Sequence, residues 1–364
     1  MVNISDDVHG IRHAVTLAQC ALFSTSPNPR VGCVITRNGR IIGEGWTQPP
    51  GGNHAEIEAL NDAAAKGHDV RGATVYVTLE PCSHFGRTPP CCDALIRAGV
   101  ARVVTAVQDP NPLVAGQGLA RLRAAGIEVE CDMLADEARE LNIGFFSRMQ
   151  RGRPWVRMKV AASLDGKTAL SNGQSQWITS AAAREDGHLW RARACAILSG
   201  IGTVRQDDPQ LTVRAVETSR QPRRIVVDSK LGIDADARVL AGGGTWVATA
   251  RRDPDKEAML RDQGAEMLFL PNAQGKVDLP QLMQELGRRQ INELHIEAGA
   301  KLNGSLIREG CVDELLMYLA PQLLGQGFGM FDLPALERLD DKIALKFHEV
   351  RPIGEDLRLL VRFI

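Results

Sequence analysis

An imidazole, a carboxylate and two thiols stand at spacings suited to activating water on a metal. His54-Ala55-Glu56 opens a run of helix formers, and Cys82 and Cys91 follow with eight residues between them. One imidazole and two thiolates give zinc three protein ligands and leave a fourth position for water. Water held there gives up its proton near neutral pH. Glu56, two residues from His54, can take that proton and hand it to a departing amine without being a ligand. Placing all three ligands at helix starts would favour Cys82 and Cys91 as thiolates. Plainer readings exist. An H-x-E triplet arises by chance, two cysteines can simply be buried, and a structural zinc site would recruit His84 or Cys92 as fourth ligand.

A second candidate site lies in the other half of the chain. Glu297-Ala298-Gly299-Ala300-Lys301-Leu302-Asn303-Gly304-Ser305 sits between a predicted strand and a predicted helix. Glycines there let backbone N–H groups approach a phosphate, and a helix start favours negative charge. A helix-capping turn explains the same residues equally well. No G-x-G-x-x-G follows the first strand of this half, so spacing alone does not reveal a dinucleotide site.

The elements that must position these residues alternate. Helices are predicted from the Asp6-Asp7 start to Leu22, over 54–66, from Cys91 to Gly99, over 119–125 and over 136–148. Strands are predicted over 31–36, 41–45, 74–79, 100–107 and 127–130. Arg148 to Pro154 is basic, carries Gly and Pro and lacks apolar periodicity, so it reads as a linker between domains 1–147 and 155–364. The second domain reads as strands over 155–162, 196–199, 224–228, 245–249 and 294–297 with helices over 180–194 and 279–289. Its tail reads as strands over 314–320, 342–350 and 357–363. The alternation implies an α/β fold with largely parallel sheets.

Composition narrows the function classes. A chain of 364 residues with 44% hydrophobic and 24% charged residues is an ordinary globular protein of two domains. No stretch approaches the about 18–20 apolar residues of a membrane span. The start carries acids where a signal peptide has bases, so a cytoplasmic location is expected. In that reducing compartment the eight cysteines are expected as metal ligands or buried thiols, not disulfides. Residues through Ser147 hold 12 basic and 16 acidic side chains, the remainder 31 and 28. That balance argues against a nucleic-acid-binding face.

H-A-E opening a helix, with P-C directly after a strand, matches the zinc nucleobase deaminase signature. Ordinary members have C-x-x-C; here the string is Thr78-Leu79-Glu80-Pro81-Cys82-Ser83-His84-Phe85-Gly86-Arg87-Thr88-Pro89-Pro90-Cys91-Cys92. With Pro27-Asn28-Pro29-Arg30-Val31-Gly32 upstream and Gln108-Asp109-Pro110-Asn111-Pro112 downstream, the chain resembles the bifunctional deaminase–reductases of riboflavin biosynthesis. The resemblance continues through Lys159-Val160-Ala161-Ala162-Ser163-Leu164-Asp165-Gly166-Lys167-Thr168, Ser175 to Ser180, Gly202 to Pro209 and Leu211 to Arg214.

The resemblance implies a cytidine-deaminase-like αβα layer followed by a dihydrofolate-reductase-like α/β domain. It implies zinc on His54, Cys82 and Cys91, proton transfer by Glu56, and a pyrimidine held by Asn28 and His84, with Cys92 a non-ligand. It implies NADPH at Ala161, Trp177, Thr203, Asp207, Ser229 and Gly299, Ala300, Lys301, Leu302, Asn303, Gly304 and Ser305. The substrate, a pyrimidine ribosyl phosphate, would meet Ser175, Arg191, Leu211, Arg214 and Glu297, Arg191 and Arg214 being guanidinium forks suited to phosphate. One departure is Ile201, where many relatives have a small residue. Lys159, on the first strand of this domain, is expected beside the reacting carbon, although it could merely neutralise Glu297. A homo-oligomer is expected, with neither nucleic acid nor membrane as partner. Two competing readings are a nucleic-acid-editing deaminase with an accessory domain and a non-catalytic protein stapled by zinc. Glu56 has no task in a staple.

Overall fold

The computed structural model describes residues 6–84, 89–112 and 114–364. The chain divides into two compact units, Met1–Gly152 and Arg153–Ile364.

The first unit is built on a five-stranded sheet, ordered β2-β1-β3-β4-β5. Its strands are β1 (Gly32–Arg37), β2 (Arg40–Trp46), β3 (Thr74–Val77), β4 (Arg102–Thr105) and β5 (Glu128–Glu130). The helices are α1 (Asp7–Gln19), α2 (Ala55–Ala65), α3 (Cys91–Ala98), α4 (Gln117–Ala124), α5 (Ala135–Leu141) and α6 (Ile143–Arg151). The sheet is mixed, not largely parallel: β1 runs antiparallel to β2 and β3, while β3, β4 and β5 are parallel. Asp6 caps α1 by accepting the His9 N–H, satisfying one donor of its first turn. Ile11, Ala14 and Ala18 of α1 and Ala55, Ala59 and Ala63 of α2 are fully buried in a core with Val34, Ile35 and Val75.

The single helix expected over 136–148 is two. Asn142 breaks it because its amide serves Arg30 instead, accepting the Arg30 N–H at 2.7 Å and donating to the Arg30 carbonyl at 2.8 Å. The expected linker also differs, since α6 continues through Arg151.

The second unit is built on a nine-stranded sheet, ordered β11-β10-β9-β8-β12-β6-β13-β16-β15. Its elements, in chain order, are β6 (Trp155–Ser163), β7 (Lys167–Leu170), α7 (Ala181–Arg193), β8 (Ala196–Gly200), α8 (Ile201–Asp207), β9 (Arg223–Val227) and β10 (Thr245–Thr249). Then follow α9 (Pro254–Asp262), β11 (Glu266–Phe269), α10 (Leu279–Arg288), β12 (Glu293–Ile296), α11 (Ala300–Arg308) and β13 (Glu314–Ala320). The tail adds β14 (Gly327–Gly329), β15 (Leu345–Ile353) and β16 (Asp356–Phe363). The strands from β11 to β13 are all parallel, and β16 and β15 close one edge antiparallel. The central strands β8 and β12 are buried throughout, as a sheet covered on both faces requires.

One charge network lies within this sheet. Arg157 of β6 is 1% exposed and donates to Glu314 at 2.5 Å and Glu293 at 3.1 Å. Its guanidinium also lies 4.4 Å from the Trp190 ring. Each charge is thereby paired, which buried ions need.

Candidate functional sites

Four loops of the first unit converge on one end of its sheet. Cys33 at the start of β1 faces Val77 at the end of β3, and Gly32 faces Trp46 at the end of β2. The loop before β1, carrying Asn28, therefore meets the loops that leave β2 toward His54 and β3 toward Cys82. The chain leaving β4 joins them through the Glu80 N–H, which donates to the Val107 carbonyl at 3.0 Å.

At this convergence the ligand atoms of His54, Cys82 and Cys91 lie within 4.8 Å of one another. His54 Nδ1 is 3.6 Å from Cys82 Sγ and 3.3 Å from Cys91 Sγ. Tetrahedral zinc with ordinary bond lengths separates such ligand atoms by about 3.5 Å, so the set fits the metal. His54 is the N-cap of α2 and Cys91 the first residue of α3. Cys82 is not at a helix start; it sits in the loop beyond β3. It reaches a helix end indirectly, accepting the Cys91 N–H at 3.3 Å. Hydrogen bonds from Cys91, then from His54, hold the Cys82 thiol down at about 4, while the shared proton pushes Cys91 up. One thiolate is thus favoured before any metal binds.

Glu56, in the first turn of α2, is 3% exposed. Burial, and after it the Cys82 charge, pushes its carboxyl up to about 7. Cys92 turns away and donates to the Pro81 carbonyl at 3.1 Å. His84 is exposed, and among the described residues neither it nor Cys92 joins the cluster. Asn28 is half-buried, and its N–H donates to the Thr25 carbonyl at 2.8 Å. Phe85 to Thr88 of the cysteine string lie outside the described residues.

Sequence reasoning passed over Glu80. Its buried carboxylate accepts the N–H groups of Asp109, Gly116, Gly118 and Leu119 at 2.8–3.3 Å. It therefore fixes the loop after β4 and the start of α4. The available signal was an acid immediately before Pro81-Cys82, where the chain enters a site.

In the second unit, two cavities open at the carboxyl ends of β6, β8, β9 and β12, where parallel sheets place ligands. The larger, about 930 Å³, is lined by Ala161, Thr203, Asp207, Ser229, Gly299 to Asn303 and Ser305 among others. The smaller, about 470 Å³, is lined by Ser175, Trp177, Arg191, Leu211, Arg214 and Glu297 among others. Lys159, Ala161, Thr168, Ser175, Thr203, Asp207 and Glu297 line both. Ile201 lines the larger one as the first residue of α8. Two of the residues expected at the cofactor do not line the larger cavity. Trp177, 68% exposed, lines the smaller cavity. Gly304 faces the protein: a Cβ there would lie 2.0 Å from the Asp332 carbonyl oxygen.

Glu297 carries the tightest contacts in this site. Arg191 Nε and Nη2 donate to its two oxygens at 2.5 and 2.7 Å. Against the burial that would raise it, this fork holds Glu297 well below the usual carboxylate range. Lys159 is half-buried, and burial lowers its ammonium. Among the described residues it forms no ion pair within 4.0 Å; its Nζ lies 6.0 Å from the centre of the Tyr318 ring. His188, missed from the sequence, also lines the smaller cavity. Its Nδ1 accepts the Arg214 N–H at 3.2 Å, which assigns the proton to Nε2. Burial, then the Arg191 and Arg214 charges, hold it down at about 4, so the ring is neutral at pH 7.

Known proteins align with both units. A model of the RibD C-terminal domain matches residues 154–359, and one of the cytidine and deoxycytidylate deaminase zinc-binding region matches residues 4–107. The chain is 48% identical over 367 residues to the riboflavin biosynthesis protein RibD of Escherichia coli, covering 97% of this chain and 98% of that protein. The structure of Acinetobacter baumannii RibD superposes with a TM-score of 0.90 at 41% identity, covering 98% of this chain and 99% of that one. A Thermotoga maritima diaminohydroxyphosphoribosylaminopyrimidine deaminase/5-amino-6-(5-phosphoribosylamino)uracil reductase superposes with a TM-score of 0.87 at 32% identity, with the same coverage. Agreement over the full length supports neither the nucleic-acid-editing reading nor the zinc staple.

Proposed function

Because the chain belongs to the RibD family of riboflavin-biosynthesis proteins, we propose that its two sites perform consecutive steps on one pyrimidine ribosyl phosphate. The protein is a bifunctional deaminase and reductase, with zinc serving the first activity and NADPH the second. The observation that carries the residue-level reading is the buried Glu56 beside three converged metal-ligand side chains.

In the first step the 2-amino group of the diaminopyrimidinone is replaced by oxygen and leaves as ammonia. His54, Cys82 and Cys91 would hold zinc, whose Lewis acidity would make water nucleophilic near neutral pH. Glu56 takes the proton of that water and delivers it to the leaving amine. Asn28 and His84 hold the pyrimidine.

In the second step C1′ of the ribose is reduced and the ring opens to a ribityl chain; NADPH, when bound, would supply the hydride. Ala161, Thr203, Asp207 and Ser229 seat the cofactor, and the N-terminus of α11 at Gly299 to Asn303 favours its phosphate charge. Ser175, Leu211, Arg214 and Glu297 hold the sugar phosphate, with Arg191 fixing Glu297. Lys159 provides the proton as charge develops on the acceptor atom.

The two steps belong to separately folding domains divided at the end of α6. The exposed Leu345, Phe347 and Val350 on edge strand β15 support self-association into a homo-oligomer. Among the described residues no helix is long and apolar enough to cross a membrane. The work belongs in the cytoplasm, whose reducing conditions keep the ligand thiols free.

The test supplies the diamino substrate with and without NADPH and with and without a zinc chelator. Ammonia and the deaminated, unreduced product are expected without NADPH, and the ribityl product with it. Chelation should stop ammonia release while leaving reduction of pre-deaminated substrate intact. Equal loss of both activities would refute a metal confined to the first unit.

A further inference from the structure

The donors of the smaller reductase cavity do not divide as the sequence suggests. Arg191 looks like a phosphate clamp, yet all three of its nitrogens are engaged. Nε and Nη2 donate to Glu297, and Nη1 donates to the Thr212 carbonyl at 3.1 Å. These bonds use three of its five N–H donors, and losing the fork would leave the nearly buried Glu297 with only His295 at 3.2 Å. Glu297 therefore has the first claim on Arg191.

Two other guanidinia line the same cavity. Arg214 donates through Nη1 to Thr212 Oγ1 at 2.9 Å and Gln210 at 3.3 Å, which leaves its other nitrogens for a ligand. Arg238 comes from a separate segment, the 3-10 turn Arg238–Leu240. Its backbone N–H donates to Asp208 Oδ1 at 2.8 Å, tying that turn to the loop that leads to Arg214. Among the described residues, the Arg238 guanidinium has no hydrogen-bond or ion-pair partner.

The charges of the cavity do not balance. Its walls hold Lys159, Arg184, Arg191, Arg214 and Arg238 against Asp207, Asp208 and Glu297. Glu297 is taken by Arg191 and Asp208 accepts the Arg238 N–H, while burial raises Asp207 toward its neutral form. Arg214 is depressed by burial and then by Arg191 and Arg238, as expected of cations facing each other without an anion between them.

We propose that Arg238 is a ligand of the substrate phosphate in the reductase cavity, completing with Arg214 a two-guanidinium seat. The proposal rests on the reading of this cavity as the phosphoribosyl site. Two planar forks from separate segments can grip a phosphate bidentately, which a lone lysine cannot.

The experiment uses the full-length protein, with ribose 5-phosphate and ribose as calorimetric probes. Wild type should prefer ribose 5-phosphate. Arg238→Ala should weaken ribose 5-phosphate by about ten- to hundredfold, the loss expected for one charge-assisted contact, and leave ribose unchanged. Arg238→Lys should recover part of that loss. With NADPH and 5-amino-6-(5-phosphoribosylamino)uracil, the Arg238→Ala defect should fall in KM more than in kcat. Arg238 is exposed and the backbone bond to Asp208 survives substitution, so melting should match wild type. Equal ribose 5-phosphate affinity in wild type and Arg238→Ala would overturn the proposal. A wild type that turns over substrate but binds ribose as tightly as ribose 5-phosphate would overturn it too. A wild type that cannot reduce the phosphoribosyl substrate would overturn both this proposal and the reading beneath it.

Discussion

Glu80→Gln should damage the deaminase unit although it changes no shape. One carboxylate oxygen accepts the Gly118 and Leu119 N–H groups at 2.8 and 3.3 Å, the other those of Asp109 and Gly116 at 3.1 and 2.9 Å. A glutamine has one acceptor oxygen, so it can serve one pair and must aim its NH2 at the other. Two backbone donors then lose their acceptor at about 1–3 kcal/mol each. Glu80 also faces the N-terminus of α4, where its charge contributes about 0.3–1 kcal/mol more. The sum is about 2–7 kcal/mol, a large share of a typical domain's stability. Relaxation is blocked, because Gly118 already lies against the chain; a Cβ there would sit 2.1 Å from the Pro81 carbonyl oxygen. Hydrogen exchange of residues 109–119 should accelerate at least about tenfold, the factor for 1.4 kcal/mol. Urea unfolding followed by ammonia release should shift in parallel. Exchange and urea midpoint both equal to wild type would refute the idea that this carboxylate organises the loop.

Four further outcomes are expected. Glu56→Ala should keep its zinc, measured by elemental analysis, and lose deamination by about 10²–10⁴-fold, the usual worth of a general acid–base; wild-type turnover would end that role. Lys159→Met should bind NADPH normally and slow single-turnover hydride transfer by at least about a hundredfold; an unchanged rate would remove Lys159 from the chemistry. His188 is held at a pKa of about 4 when folded, against 6.5 for a free imidazole. The unfolded chain therefore holds more protons between those values, and the His188 contribution to stability rises with pH across that window. In His188→Asn the urea midpoint of the reductase unit should lose part of its fall between pH 7 and pH 5; an identical pH profile would contradict the buried neutral ring. Finally, a Trp155–Ile364 fragment should fold and bind NADPH by fluorescence, whereas an unfolded fragment would mean that the two units share a core.

Local pattern revealed the central elements and missed the peripheral ones for identifiable reasons. The buried strand β8 and the buried stretches Ile225-Val226-Val227 of β9 and Trp246-Val247-Ala248 of β10 are short apolar runs that read directly from the sequence. Polar α9 buries only Glu257 and Leu260, so it carries almost no periodic signal. The pair β7 and β14 is stabilised by pairing across 160 positions, which no local window contains. Asn142 split a helix because its amide found Arg30, 112 residues away in sequence. The mixed first sheet misled for a related reason, since strand direction is set by which partner a strand finds.

The two sites differed in legibility because metal binding and hydride transfer make different demands. Three soft ligands must approach within bonding distance of one ion, so residue type and spacing reveal them, as His54, Cys82 and Cys91 do. The reductase cavity asks for charge at chosen points on separate strand ends, and any cation is ambiguous until its partner is known. Lys159 illustrates this. From sequence, neutralising Glu297 explains it as well as catalysis does. In the structure Glu297 already has Arg191 on both oxygens, so its charge needs no second cation. Lys159 is left half-buried at the junction of the two cavities with its ammonium lowered by burial, hence a stronger acid than a free lysine. A buried ammonium without an ion-pair partner costs stability, and such costs persist where chemistry uses them. The same donor accounting gives Glu297 its cation in Arg191 and leaves the Arg238 guanidinium, without a partner among the described residues, as the one to hold phosphate.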